Sequence, residues 1–251
     1  MTATGHVQAR RRFDEHRAAF ARNPALRALY AGWYARIGAY LPELGVGPRL
    51  ELGSGPGLAA AYLPEMLRSD VVRAPWHHMV AAAEALPFRE GTLGALVLFD
   101  VLHHLPSPAH FFEEATRVLA PGGRVIVCDP YVSPLSYPVY AWLHEEGLDF
   151  APDALEPRWA DGKDPFAGNQ AVATKLFFRE WPRFAARFPS FSLVARRRLA
   201  GLSYPAAGGF GRAPLLPLAL WKGLLRLEAR CPEAAFRWMG FRTLVALERR
   251  P

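Results

Sequence analysis

The sequence predicts an α/β chain: one seven-stranded, mostly parallel sheet with helices on both faces and its last strand antiparallel. Three observations predict it. A short strand, Arg49 to Leu52, runs straight into Gly53-Ser54-Gly55-Pro56-Gly57 and then into an apolar helical run, the order in which a phosphate- or nucleoside-binding sheet begins. Strand and helix patterns then alternate, which demands parallel pairing through crossovers. The β-branched run Arg124 to Cys128 has the unbroken apolarity of a strand covered on both faces.

The elements follow in order. Residues 7 to 41 read as helix broken near Asn23-Pro24, with Leu26, Leu29, Tyr30, Trp33, Ile37 and Leu41 at helical spacing. After Gly45-Val46-Gly47-Pro48 comes the first strand, and after the glycine loop a helix over Leu58 to Met66 is expected. Leu67 to Val72, Val80 to Ala83 and Leu93 to Phe99 read as strands and Pro108 to Leu119 as helix, before Pro121-Gly122-Gly123 turns the chain into the buried strand ended by Asp129-Pro130. Between Asp70 and Val80 lie only about nine residues, fewer than a helical crossover needs, so a helix is expected to be missing there. Residues 150 to 190 mix Pro152, Pro157 and Pro165 with Trp159, Phe166, Phe177, Phe178 and Trp181 and read as an inserted lid. Phe191 to Arg197 is a strand, Leu215 to Phe236 a helix and Phe241 to Leu247 the final strand. The expected organisation is one domain over 1–251: a helical cap (1–44), a cofactor-binding core (45–149), the lid (150–190) and a part completing the sheet (191–251).

With 251 residues, 51% hydrophobic and 21% charged, a wholly disordered chain is excluded, and no run of about 18 uncharged apolar residues provides a transmembrane helix. Cys128 and Cys231 are too far apart for a disulfide framework or a zinc ribbon. Met1 to Gln8 has no apolar signal core, so a cytoplasmic address is expected. The net charge of +7 is uneven: +5 over 1–40, −7 over 41–150 and +9 over 151–251. Basic flanks admit an anionic membrane or nucleic acid as partner. Nucleic acid is disfavoured, because no Asn-Pro-Pro-Tyr type motif follows the strand ending at Phe99 and no separate basic recognition domain exists.

Glycines after the first strand serve a turn that a β-carbon would penalise and let a ligand approach the main chain closely. The dinucleotide fingerprint is not met, since the third glycine comes one residue early and Leu58 stands where glycine is needed. Glu51 would repel a pyrophosphate but would suit an ammonium group, which points to a nucleoside carrying an amino acid.

Glu51 to Gly57 resembles the first motif of class I S-adenosylmethionine-dependent methyltransferases, of the type 11 subgroup, which have a Rossmann-like fold. Ala85-Leu86-Pro87-Phe88, Phe99-Asp100-Val101-Leu102-His103-His104-Leu105 and Ala120-Pro121-Gly122-Gly123-Arg124 resemble its later motifs in order, over about residues 47 to 132. The resemblance implies S-adenosyl-L-methionine as cofactor. It assigns Gly53, Ser54, Gly55 and Gly57 to the passage around it, Glu51 to its amino group, Asp70 to the ribose and Asp100 to the pocket border. Where members commonly carry an aspartate for adenine, this chain has Ala82, leaving Glu84, or Ala83 and Leu86, to hold the base.

Methyl transfer from a sulfonium is an in-line displacement that relies mainly on positioning, with a base useful for hydroxyl or amine acceptors. His104 is the first candidate base, followed by His103 and Tyr131, with Asp129 and His144 near the same sheet edge. Adjacent histidines without a well-spaced carboxylate do not predict a metal site. Tyr30, Trp33 and Tyr34 read as a core stripe that could close over the cofactor, and Asn169 and Gln170 as lining of the lid. Leu215 to Leu227 with Lys222, Arg226 and Arg230 either packs on the sheet or lies on an anionic membrane. The expected function is methylation of a small molecule, foremost an oxygen of a sugar, polyketide-like or lipid-linked metabolite. The alternative is a non-catalytic cofactor-binding regulatory or assembly protein.

Overall fold

The computed structural model describes residues 3–43, 45–156 and 167–251. Seven strands, β1 (Arg49–Leu52), β2 (Leu67–Asp70), β3 (Met79–Val80), β4 (Leu93–Phe99), β5 (Leu119–Pro130), β6 (Phe191–Leu199) and β7 (Arg242–Arg249), form one sheet. Their spatial order is β3-β2-β1-β4-β5-β7-β6. Strands β1 to β5 pair in parallel, and β7 runs antiparallel to both β5 and β6. The order reverses at β1, so the ends of β1 and β4 flank a crevice where ligands of open α/β sheets bind.

Alternation along the central strands sends side chains to two separate cores. Val97 and Phe99 of β4, with Ile126 and Cys128 of β5, meet α1 (Ala3–Arg22), α2 (Pro24–Ala39) and, further along the chain, α8 (Leu218–Glu228). Leu96 and Leu98, with Val125 and Val127, meet α3 (Pro108–Val118) and the aromatic residues Phe177, Phe184 and Phe188. Asn23 separates α1 from α2 by accepting from Leu26 N, with Pro24 at the first helical position. Ser107 and Pro108 start α3 in the same way.

Four expectations change, the first being the strand expected over Val80 to Ala83, which is only Met79–Val80. The helix expected over Leu58 to Met66 is a single 3₁₀ turn, Leu58–Ala61, because Pro64 bars helical conformation at the residue before it and leaves no room to propagate. The helix expected over Leu215 to Phe236 spans only Leu218–Glu228, and Pro232 separates it from a 3₁₀ turn and the short α9 (Phe236–Met239). The buried strand begins earlier, at Leu119, and residues 120–123 bulge between the pairs Leu93–Leu119 and Ala95–Arg124. As expected, no helix links β2 to β3, and the eight residues Val71 to His78 make the crossover.

Trp159, Pro157, Pro165 and Phe166 of the expected lid lie outside the described residues. Its described part, α5 (Val172–Thr174), a π-turn (Lys175–Arg179) and α6 (Trp181–Arg187), is carried into the core by Phe177 and Phe184, both packed edge-on against Phe112. Helix α4 (Ser136–Trp142) follows β5, and α7 (Ser203–Ala206) follows β6 and packs against α8. No helix among the described residues is long and apolar enough to cross a membrane.

Candidate active site

The glycine loop leaves β1 with Gly53, Gly55 and Gly57 all at positive φ, the left-handed region that penalises a β-carbon. Contacts add to that demand at two of them. A Cβ on Gly53 would lie 2.5 Å from a Val101 methyl, and one on Gly57 would lie 2.4 Å from the Trp76 ring.

Glu51 points from β1 into the core beneath α2 and is almost fully buried. Tyr34 Oη donates to its Oε1 at 2.7 Å and Ser54 Oγ donates to its Oε2. Burial raises the carboxyl to about 7, against the pull of Ser54, Tyr34 and the Arg68 charge. Tyr34 is itself stacked between Tyr62 and Phe99, so the aromatic stripe of α2 is both core and support for Glu51.

Asp70, at the end of β2, accepts from Gly55 N at 2.8 Å and from Val72 N at 2.9 Å, one amide per oxygen. Burial raises its pKa while those amides oppose the rise. Each oxygen keeps a lone pair for a further donor. The helix-free crossover covers the loop from outside: Trp76 Nε1 donates to Gly55 O at 2.8 Å, and His77 Nε2 lies 2.9 Å from the same oxygen. Arg10 and Arg17 of α1 both lie over the Trp76 ring, at 4.1 and 4.3 Å, and Arg17 also donates to Pro56 O. Helix α1 is thus fastened onto the glycine loop through Trp76.

Just beyond β3, Ala82 is exposed and Ala83 and Leu86 are buried. Leu86 N donates to Glu114 at 2.7 Å and Arg117 donates to Leu86 O at 3.0 Å, so α3 fixes this turn. Glu84 is half-buried.

Asp100, at the end of β4, has φ of 56°, uncommon for a residue with a side chain. Its Oδ1 receives Arg242 Nη2 from β7. That guanidinium is buried and lies over Trp33, Phe99 and Tyr204, with centroid distances of 4.7, 5.1 and 5.5 Å. Sequence reasoning missed Arg242, because an arginine opening a strand gives no sign of facing inward.

His103 follows in a 3₁₀ turn, Leu102–His104. Its Nδ1 lies 2.9 Å from Asp129 Oδ1 and its Nε2 lies 3.1 Å from Glu146 Oε2. Burial alone would push this imidazole down, but the two carboxylates outweigh it and hold the pKa at about 10. Burial likewise presses Glu146 upward, and hydrogen bonding and charge from His103, with the charges of His104 and His144, bring it to about 2. His104 Nε2 stands 3.6 Å from the other Glu146 oxygen. Gln170 Nε2 also donates to Glu146, and Asn169 ties the strand-like segment around Asp149 to this turn. Glu146 was not expected, since Glu145-Glu146 beside His144 reads as a solvated run.

His103, His104 and Glu146, and likewise Asp100, His103 and Asp129, bring donor atoms within 4.8 Å of one another. With His103 protonated, its ring donates to both Asp129 and Glu146, one cation set between two carboxylates. A cavity of about 220 Å³ adjoins it, lined among others by His103, Asp149, Asn169 and Lys175. Tyr131 is placed differently from the histidines: its hydroxyl receives Arg198 Nε at 2.9 Å and its ring packs on Phe178. His144 is exposed, and its Nδ1 accepts from Glu146 N.

The seven-stranded sheet thus carries a glycine loop leaving β1 and buried acids at the ends of β1 and β2. Residues 50–127 match the family described as Methyltransferase domain. An uncharacterized methyltransferase of Mycobacterium sp. (strain JLS) is 30% identical over 118 residues, 39% of this chain and 43% of that protein. A demethylmenaquinone methyltransferase of Streptomyces avermitilis is 29% identical over 140 residues, 54% of this chain and 58% of its own. The chain therefore spans about half the length of the curated relatives it matches. Among solved structures, geranyl diphosphate C-methyltransferase from Streptomyces coelicolor A3(2), in complex with Mg2+, geranyl-S-thiolodiphosphate and S-adenosyl-L-homocysteine, superposes with a TM-score of 0.50 at 14% identity, covering 89% of this chain and 77% of that one. At that identity the likeness is one of fold.

Proposed function

We propose that this chain transfers the methyl group of S-adenosylmethionine to a small-molecule acceptor, foremost an oxygen of a sugar, polyketide-like or lipid-linked metabolite. The observation that carries the reading is the pair of buried acids on the glycine loop: Glu51, matched to an ammonium, and Asp70, whose spare lone pairs match a ribose diol. Glu51 with Ser54 would hold the amino-acid end, and Asp70 with the loop from Gly53 to Gly57 the ribose. Ala83 and Leu86, with Glu84 beside them, would hold the base in the absence of an acid at Ala82. The cofactor, when bound, supplies an electrophilic methyl group.

The chain's own part is to align the acceptor and take its proton. His103 carries a proton already and is unsuited to be the base. His104 is suited, since Glu146 stands across from its Nε2 and would stabilise the imidazolium formed, while His103 and Gln170 hold Glu146 in place. The bound cofactor would supply the methyl group to an acceptor oxygen, and His104 would take the proton that this hydroxyl gives up. His104→Ala is expected to lower kcat about 100-fold with cofactor affinity unchanged, read from methyl transfer to a responsive acceptor.

Glu51 supplies a direct test of the cofactor. Its carboxyl is largely protonated at pH 6 because its pKa is about 7, and an ammonium placed beside it would drive the proton off. Calorimetric titration with S-adenosylmethionine at pH 6, in buffers of different ionisation heat, is expected to show release of about one proton. The release should fade above pH 8 and vanish in Glu51→Gln. Binding without proton release would remove Glu51 from the amino group. Cofactor binding with no transfer to any of a broad acceptor panel would favour the non-catalytic alternative, which the Trp76 and His77 contacts to Gly55 O and the exposed Ala82 motivate.

A further inference from the structure

Helix α8 presents three stripes, and only one faces the protein. Trp221 and Glu228, seven residues apart, are its buried residues. Trp221 Nε1 donates to Ser203 O, and Glu228 accepts from Ser203 N and Oγ and from Gly201 N. Leu220 and Leu227, also seven apart, form a second stripe exposed at 63% and 61%, and Leu215 just before the helix is exposed at 70%. Lys222, Arg226 and Arg230 recur every four residues on a third, exposed stripe. At 100° per residue, Ala219 and Gly223 fall between the leucine and cation rows, so the two rows share the outward half of the helix.

The charge on that half is one-sided. Between residues 212 and 232 the only acid is Glu228, and it is turned inward. Lys222, Arg226 and Arg230 make no ion pair among the described residues. Beyond the helix, Trp238 is exposed at 63% with Arg237 beside its ring. Leucines outward beside unpaired cations, with an aromatic anchor nearby, is the pattern of a helix lying in a lipid interface. A two-fold contact with a second copy would set the cation rows against one another, whereas lipid phosphates neutralise them.

We propose that α8 docks this chain on an anionic lipid surface, with Leu215, Leu220 and Leu227 entering the headgroup boundary and Lys222, Arg226 and Arg230 lying against phosphates. The surface stands apart from the methyl-transfer reading, and its test needs neither cofactor nor acceptor. Because α8 packs on α2, the helix whose Tyr34 holds Glu51, docking would bring the site close to acceptors carried in the membrane.

The experiment is co-sedimentation of the chain with phosphatidylcholine vesicles and with vesicles containing about one-third phosphatidylglycerol. Partition on the anionic vesicles is expected to be at least tenfold higher and to fall in 0.5 M NaCl. Leu220→Gln/Leu227→Gln and, separately, Lys222→Gln/Arg226→Gln should each lower it about tenfold while leaving the melting curve unchanged, since none of the four side chains is buried. Absence of binding to anionic vesicles, equal binding to both kinds, or leucine variants that bind like the parent would overturn the proposal. So would a concentration-dependent dimer in sedimentation velocity that the leucine variants dissociate, which would give the surface to a second copy.

Discussion

Asp70→Asn is expected to weaken S-adenosylmethionine binding by about 10- to 100-fold, the loss of one charge-assisted hydrogen bond at about 1.5–3 kcal/mol. The carboxylate accepts the Gly55 and Val72 amides at once, and only an anion has lone pairs left on both oxygens for two hydroxyls. Asparagine would retain one acceptor and turn an N–H toward a backbone N–H, so a fall in melting temperature of a few degrees should accompany the loss. Calorimetric titration with S-adenosylmethionine and S-adenosylhomocysteine reads the affinity and a thermal scan the fold. An asparagine variant that binds both ligands like the parent would take Asp70 out of the ribose position.

The second large effect is on stability. His103→Ala leaves Asp129, fully buried, with no countercharge, and breaking a buried pair from one side costs about 3–5 kcal/mol. For a chain of this size that corresponds to a melting point about 10 °C lower. Replacing both partners, as in His103→Leu/Asp129→Leu, should recover part of the loss, because Asp129 no longer stays buried without its partner while Glu146 still loses its His103 contact. A double variant melting below the single one would show that the pair contributes more than charge balance. The parent should show a matching pH dependence. His103 has a folded pKa of about 10 against 6.5 for the free imidazole, so its contribution is fully present below about pH 6.5 and is lost as the pH rises through 10. Glu146, lowered from 4.5 to about 2, contributes above 4.5 and loses that contribution as the pH falls through 2. Urea midpoints across pH 6 to 10 should decline in the parent and flatten in the double variant.

What the sequence made legible were features whose cause is local. Gly53 to Gly57 after a strand, the Asn23-Pro24 break and the missing crossover helix each depend on residues next to one another, and each stands where expected. What it hid were partners brought from a distance. Arg242 meets Asp100 across 142 positions and Glu146 meets His103 across 43, and no periodicity announces either. Trp76 carries no local signal in the short link between β2 and β3, because its partners come from α1, which packs over it. The helix after the glycine loop was misjudged for another reason: its apolar run is helical in pattern, but Pro64 limits it to a turn.

The pairing of Asp100 with Arg242 also bears on the order in which the molecule can be assembled. The left-handed backbone at Asp100 is held by a cation from a strand made long after β4, with β5, α3 to α9 and β6 in between. A nascent chain can close the glycine loop and seat Glu51 early, from contacts within its first hundred residues, while the wall of the crevice at Asp100 must wait for β7. Long-range closure of this kind is slow relative to the local steps. Fragments ending before residue 242 would therefore present a glycine loop without a settled crevice, and assays for ligand or acceptor belong with chains that include β7.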